Sequence, residues 1–255
     1  MSLKNSIVYR NRERATWCEG CGHYGVLNAL CEALDHSGMD PMQTVLVTDN
    51  GCSSMIGFLT NAHSIHGLYG KALPIAVGVK SADPALKVIA DVVYLILDNG
   101  CYGLTKGQPS PTANDRSGSP VNGMSRLLDP MALLITAGAT FVARGDSQDP
   151  PSLTGLIQEA LNHRGFAVVH IVSPCPVFNP RSLSSRSDSE GVPMESVSHP
   201  AQDRLEAFRL IAMEEKKLRV GIFYREDCAA FPVRAGETMP DGLRELENMM
   251  NTLRP

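Results

Sequence analysis

Five short apolar runs, at residues 44–48, 92–97, 141–144, 167–172 and 220–224, are separated by stretches in which apolar residues recur with helical period. Runs this short and mostly apolar suit buried strands, as in a parallel sheet covered by helices. Strands alternating with helices predict an α/β fold with a doubly wound, mainly parallel sheet, in which ligands bind outside the carboxyl ends of the strands. At 255 residues, 43% of them hydrophobic, the chain is sized for a single domain, 1–255, with a sizeable core.

The helices are legible individually. Leu27, Leu30, Cys31 and Leu34 stand at i, i+3, i+4 and i+7 within 25–38, and Gly38 supplies the stop. Cys31 falls on the buried face and reads as core packing, since a free cysteine behaves as a small hydrophobe. Residues 70–82 alternate small and apolar side chains around Pro74 and Gly78, and 129–137 read as a helix. Residues 152–163 place Leu153, Leu156, Ile157, Ala160 and Leu161 on one face behind a serine N-cap. Asp203 and Glu206 open a last helix with the stripe Leu205, Phe208 and Ala212. The polar stretch 109–126 and the serine-rich stretch 181–199 read as surface connections without a core, and the residues after 224 as a peripheral tail. Residues 87–98 fit no simple assignment, because so long a run exceeds a usual strand. Two strands end to end would account for it, but parallel neighbours need a crossover of about a dozen residues, and none separates Ala90 from Asp91.

An odd count of seven cysteines, in a chain that opens with no secretory signal, argues for reduced thiols in metal or redox service. Cys18 and Cys21 sit three residues apart among glycines, while Cys52 and Cys175 each follow a predicted strand. Asn99 follows a third, so these residues share the carboxyl edge of the sheet. Four thiolates suit structural zinc or a 4Fe-4S cluster. One close pair followed by two distant singles favours the cluster; the plain alternative is that Cys52 or Cys175 is merely buried. The loop 102–108, Tyr-Gly-Leu-Thr-Lys-Gly-Gln, offers hydroxyl, amide and ammonium groups to phosphate and a hard cation. A net charge of -4 without a long basic block leaves no electrostatic footprint for nucleic acid, and no apolar run is long enough to cross a membrane. The expected setting is cytoplasmic.

Taken in order, Thr16-Trp17-Cys18-Glu19-Gly20-Cys21-Gly22, Gly51-Cys52-Ser53-Ser54, Ala72-Leu73-Pro74, the run from Asp98-Asn99-Gly100 to Pro111-Thr112, and Ser173-Pro174-Cys175 resemble the β subunit of 2-oxoacid:ferredoxin oxidoreductases, particularly the 2-oxoglutarate type. The resemblance covers about residues 8–228 and implies a thiamine-diphosphate-binding fold with an N-terminal cluster-binding segment. It implies a 4Fe-4S cluster on Cys18, Cys21, Cys52 and Cys175. Magnesium would be held by the Asn99 amide oxygen and the Cys101 backbone carbonyl. Thiamine diphosphate would meet Gly51, Ser53, His66, Tyr69, Asn99, Tyr102, Gly103, Leu104 and Thr105. The implied reaction is CoA-dependent oxidative decarboxylation of a 2-oxoacid, with an α subunit completing the site and electrons leaving through the cluster to ferredoxin. Lys106 is the candidate for the substrate carboxylate, against an ordinary solvated lysine. His66 matches an upstream histidine of the pattern, against a satisfied structural residue.

Three departures stand out. The family's Gly-Asp-Gly crossover, whose aspartate anchors magnesium, is missing between Ala90 and Asp91, where strand geometry independently lacks a connection. Tyr69-Gly70-Lys71 replaces the usual His-Gly-Arg, and Met55 stands where several relatives carry a basic residue, which bears on the choice of 2-oxoacid. If the crossover is truly deleted, thiamine diphosphate binding is expected to be weak or absent, and a non-catalytic iron-sulfur or zinc subunit stays open.

Overall fold

The computed structural model describes residues 8–83, 86–88, 93–113, 127–180, 194–197, 202–212 and 218–226. In chain order the elements are helix α1 (His23–Ser37), strand β1 (Thr44–Thr48), helix α2 (Met55–Phe58), strand β2 (His63–His66), helix α3 (Ala72–Ala82) and strands β3 (Lys87–Val88) and β4 (Val93–Asp98). The hairpin β5 (Cys101–Tyr102) and β6 (Gln108–Pro109) follows, then α4 (Pro130–Thr136), β7 (Phe141–Asp146), α5 (Pro150–Asn162), β8 (Ala167–Val172), β9 (Met194–Ser196), α6 (Arg204–Ala212) and β10 (Leu218–Arg225).

The strands form a three-stranded sheet, β2-β1-β3, and a five-stranded sheet, β4-β8-β7-β10-β9. Every pairing in them is parallel except β7 with β10. Alternation along the central strands sets the layers. Phe141 and Ala143 of β7, with Ala167, Val169 and Ile171 of β8, join the core built on α1 and α5. Val142 and Val168 turn to the other face, against Met131 and Ile135 of α4 and Ala207 and Ile211 of α6. The α/β, mainly parallel architecture read from the sequence is the one observed. Helix α1 serves both sheets, because its Leu27, Leu30 and Leu34 share one core with Leu46 of β1 and Val93 of β4. It ends at Gly38, in the left-handed conformation at φ 66°, as the glycine stop requires.

The run 87–98 resolves into two strands in different sheets. Strand β3 pairs only with Thr44 and Val45, while β4 pairs with β8 along its whole length. A cavity of about 240 Å³ lies between Leu46, Val47 and Thr48 on one side and Val93 to Leu97 on the other. Neither a single long strand nor two neighbours end to end describes this arrangement. Four residues are too few for a parallel crossover, so the second strand joins another sheet.

Smaller corrections follow from packing. Helix α5 is capped by Asp149, whose carboxylate accepts from Ser152 N–H, with Pro150 opening the first turn; the serine is the recipient of the cap rather than its source. In α6 the buried residues are Ala207 and Ile211, and Leu205 is 61% exposed, because only a narrow stripe of this helix finds apolar cover. The stretch 181–199 contains β9, which pairs through its backbone with β10 and so leaves no side-chain signature. Residues 181–193, 114–126 and 227–255, the last holding nearly all of the expected tail, lie outside the described residues.

Candidate active site

Three loops converge at the carboxyl edge: the segment before α1, the end of β1 and the end of β8. Gly22 N–H donates to Pro174 O at 3.0 Å, and a Cβ at Gly22 would lie 2.6 Å from both Pro174 Cδ and Ser147 Oγ. Only glycine lets the Cys18–Cys21 loop sit this close to the Cys175 loop. Trp17 Nε1 donates to Cys52 O at 2.7 Å and stacks edge-on against His23 and Tyr24, which pins the same loop to the end of β1. Gly103 marks where two sulfurs meet, since an added Cβ would lie 3.4 Å from Cys52 Sγ and 4.0 Å from Cys175 Sγ.

The thiols act on one another. Burial pushes Cys21 up to about 11, the His23 N–H opposes this, and Cys175, Cys52 and Cys18 add to it. Cys52 is raised by burial and then by Cys175 and Cys18. Cys101 is pushed up to about 12 by burial, then by Cys175, Cys52 and Asp98. Phe178 N–H donates to Cys175 Sγ at 3.4 Å. A cluster of thiols that suppress each other's ionisation while receiving backbone N–H groups is suited to a cationic centre that favours the thiolate form. Among the described residues, however, no group of three or more His, Cys, Asp or Glu side chains stands at metal-binding spacing. The donor set fits the cluster in its chemistry: Cys18, Cys21, Cys52 and Cys175 are soft thiol donors brought to one edge of the sheets.

A cavity of about 590 Å³ opens beside the thiols. Gly51, Cys52, Ser53, Tyr69, Asn99, Cys101, Tyr102, Gly103 and Leu104 line it, so most of the expected cofactor residues are brought together. Thr105, Lys106 and His66 are not among its walls. Lys106 is exposed in the left-handed region at φ 81°, and Thr105 Oγ1 donates to Gln108 Oε1 at 2.6 Å within the turn. His66 is exposed on β2, stacked obliquely on Phe58. Met55, on α2, packs against the main core. Asn99 Oδ1 accepts from Cys101 N–H at 3.0 Å, and an amide oxygen has a second lone pair for a cation.

Several residues shaping this site escaped the sequence reading. His23 is buried, shares a 2.6 Å hydrogen bond with Ser173 Oγ, and is driven down to about 4 by burial. Asp98, also a cavity wall, accepts from Gly100 N–H and Thr112 Oγ1 on one carboxylate oxygen and from His170 Nε2 on the other. Burial pushes its carboxyl up, but these bonds, led by His170, outweigh burial and hold it below the usual carboxylate range. Arg144 and His170 were signalled by position alone: each interrupts a run buried on both faces, where a polar group requires a partner.

The fold is that of a thiamine-diphosphate enzyme subunit, and residues 89–171 match the family described as "Thiamine pyrophosphate enzyme, C-terminal TPP binding domain". The chain belongs to the β subunits of 2-oxoacid:ferredoxin oxidoreductases. It is 32% identical to the 2-oxoacid:ferredoxin oxidoreductase subunit beta of Saccharolobus solfataricus, over 89% of this chain and 87% of that one. It is 30% identical to the 2-oxoglutarate synthase subunit KorB of Methanothermobacter thermautotrophicus, over 85% of each. Among solved structures it matches the 2-oxoglutarate:ferredoxin oxidoreductase from Magnetococcus marinus, with 2-oxoglutarate, coenzyme A and succinyl-CoA bound, at a TM-score of 0.77 and 27% identity, covering 97% of this chain and 95% of that one. The alignment to the Saccharolobus subunit runs over 266 positions although it takes in only 89% of a 255-residue chain, so that relative carries residues without a counterpart here. Among the described residues no helix is long and apolar enough to cross a membrane.

Proposed function

We propose that the chain is the thiamine-diphosphate-binding β subunit of an oxidoreductase that converts 2-oxoglutarate and coenzyme A to the acyl-CoA and carbon dioxide, passing electrons to ferredoxin in the cytoplasm. The observation that carries this reading is the meeting of the Cys52 loop with the Asn99–Gly103 turn at one cavity, with the Cys175 sulfur close beside Gly103. When bound, thiamine diphosphate supplies the carbanion chemistry and a 4Fe-4S cluster the one-electron steps. Cys18, Cys21, Cys52 and Cys175 would hold the cluster; Asn99 and the Cys101 carbonyl would hold magnesium. Gly51, Ser53, Tyr69, Tyr102, Gly103 and Leu104 would shape the cofactor cavity. Thr105 would steady the loop, leaving Lys106 on its rim for a substrate carboxylate and His66 outside the site. Its α subunit would complete the site.

A second reading rests on the four residues between Val88 and Val93, where the family pattern has its magnesium-anchoring aspartate. On that reading the chain is a non-catalytic subunit that keeps the thiol cage, loaded with the cluster or zinc. Two measurements separate the readings: anaerobic iron and sulfide loading followed by electron paramagnetic resonance, and thiamine diphosphate titration with and without magnesium. A reducible cluster with tight, magnesium-dependent binding supports the enzyme. A loaded metal centre without thiamine diphosphate binding supports the non-catalytic subunit, and failure of both sinks the two together.

A further inference from the structure

A chain of hydrogen bonds runs from the middle of the five-stranded sheet to the floor of the cavity, and its donors and acceptors permit one arrangement of protons. Arg144, 4% exposed on β7, has donors only, and its Nε donates to His170 Nδ1 at 3.1 Å. The ring proton of His170 therefore sits on Nε2, which donates to Asp98 Oδ2 at 3.0 Å. The other carboxylate oxygen accepts from Gly100 N–H at 2.9 Å and from Thr112 Oγ1 at 2.7 Å. Thr112 has then used its proton, so in the 2.8 Å contact between Ser110 and Thr112 the proton comes from Ser110. Asp98 thereby ties together the end of β4, the Asn99–Cys101 turn and the Ser110–Thr112 loop.

Burial makes this consequential. Polar groups taken out of water in mid-sheet need partners, and Arg144, which also reaches Arg219 O and lies over the Phe223 ring, holds the His170 ring in the orientation that aims Nε2 at Asp98. The turn beyond Asp98 needs Gly100 at φ 67°, and it is held from its far side by Asn179 Nδ2 donating to Asn99 O at 2.9 Å.

We propose that His170, backed by Arg144, is the positioning residue for the cation end of the site: it fixes Asp98, and through Asp98 it fixes the turn that presents Asn99 and Cys101. This rests on the reading that these two residues hold magnesium, but the ordering of the turn stands independently of it. His170 is not among the residues lining the cavity and reaches it through Asp98, which is.

Two near-isosteric replacements separate positioning from simple packing. In H170Q the amide nitrogen takes the place of Nε2 and can still donate to Asp98; in H170N the amide reaches only the Nδ1 position, and the donor is lost. Amide exchange across residues 98–103 is measured on the full chain by mass spectrometry, in wild type, H170Q, H170N and D98N. Exchange is expected to quicken in H170N and D98N and to stay near wild type in H170Q. Where wild type binds thiamine diphosphate with magnesium, H170N weakens that binding on the order of tenfold, as loss of an outer partner of a metal ligand does, and H170Q largely restores it. Equal exchange in wild type, H170N and H170Q overturns the proposal, as does equal quickening in both His170 variants. Wild-type failure to bind thiamine diphosphate defeats the enzyme reading alone, since the exchange comparison still decides the role of His170.

Discussion

Cys31 and Cys18 are the same residue type with opposite surroundings, one buried and the other exposed. Cys31 is 1% exposed within the α1 core, and burial pushes its thiol up to about 12, with Arg10 pulling back slightly. Its folded value lies above the unfolded 9.0, so the stability it contributes is complete below pH 9 and is lost as the pH rises from 9 towards 12. In native protein at pH 8, iodoacetamide should therefore label the exposed Cys18 and leave Cys31 unmodified until denaturant is added, as read by peptide mass spectrometry. Strong labelling of native Cys31 would show that the helix does not bury it. At this scale the thiols were legible because spacing and chain position announce them. The Arg144–His170–Asp98 chain was not, because its members lie 26 and 72 residues apart and only the parallel register of β7, β8 and β4 aligns them.

At the scale of elements, close backbone approach explains what hydrophobic period could not. Helix α1 lies against the loop after β7 so tightly that a Cβ on Gly25 would run into the Ser147 carbonyl oxygen, while one on Gly38 would meet nothing within 4 Å. Gly25→Ala should cost on the order of 3 kcal/mol through overpacking, whereas Gly38→Ala should cost only about 1 kcal/mol through its positive φ. Thermal melts of the two variants check the order; a reversed order would mean that α1 can move away from that loop. The periodicity of α1 and α5 made those helices readable in advance, and the alternation of small and apolar residues did so for α3. Strand β2 escaped because all four of its residues, His63 to His66, are exposed, and its pairing with β1 leaves no apolar pattern in the sequence.

At the scale of the whole molecule, the two sheets meet at a cavity rather than at a ladder of hydrogen bonds. Strand β8 is paired on both sides and buried along its length, while β2 is exposed and paired on one side within the described residues. Amide exchange should therefore be faster in β1 and β2 than in β7 and β8, and similar protection in both sheets would show that they open as one unit. The fold class was legible from alternating strands and helices, and the missing crossover from the bare count of residues. How the chain would respond to that deficit was not legible, because joining a different sheet is a choice made by packing against α1.

The thiols belong to separate parts of this divided body: Cys18 and Cys21 precede α1, Cys52 follows a strand of one sheet, and Cys175 follows a strand of the other. A centre that gathers all four would act as a keystone across the seam. Metal loading and the alignment of the two halves would then be one equilibrium, so that iron supply would govern how long the chain survives as well as whether it can carry electrons.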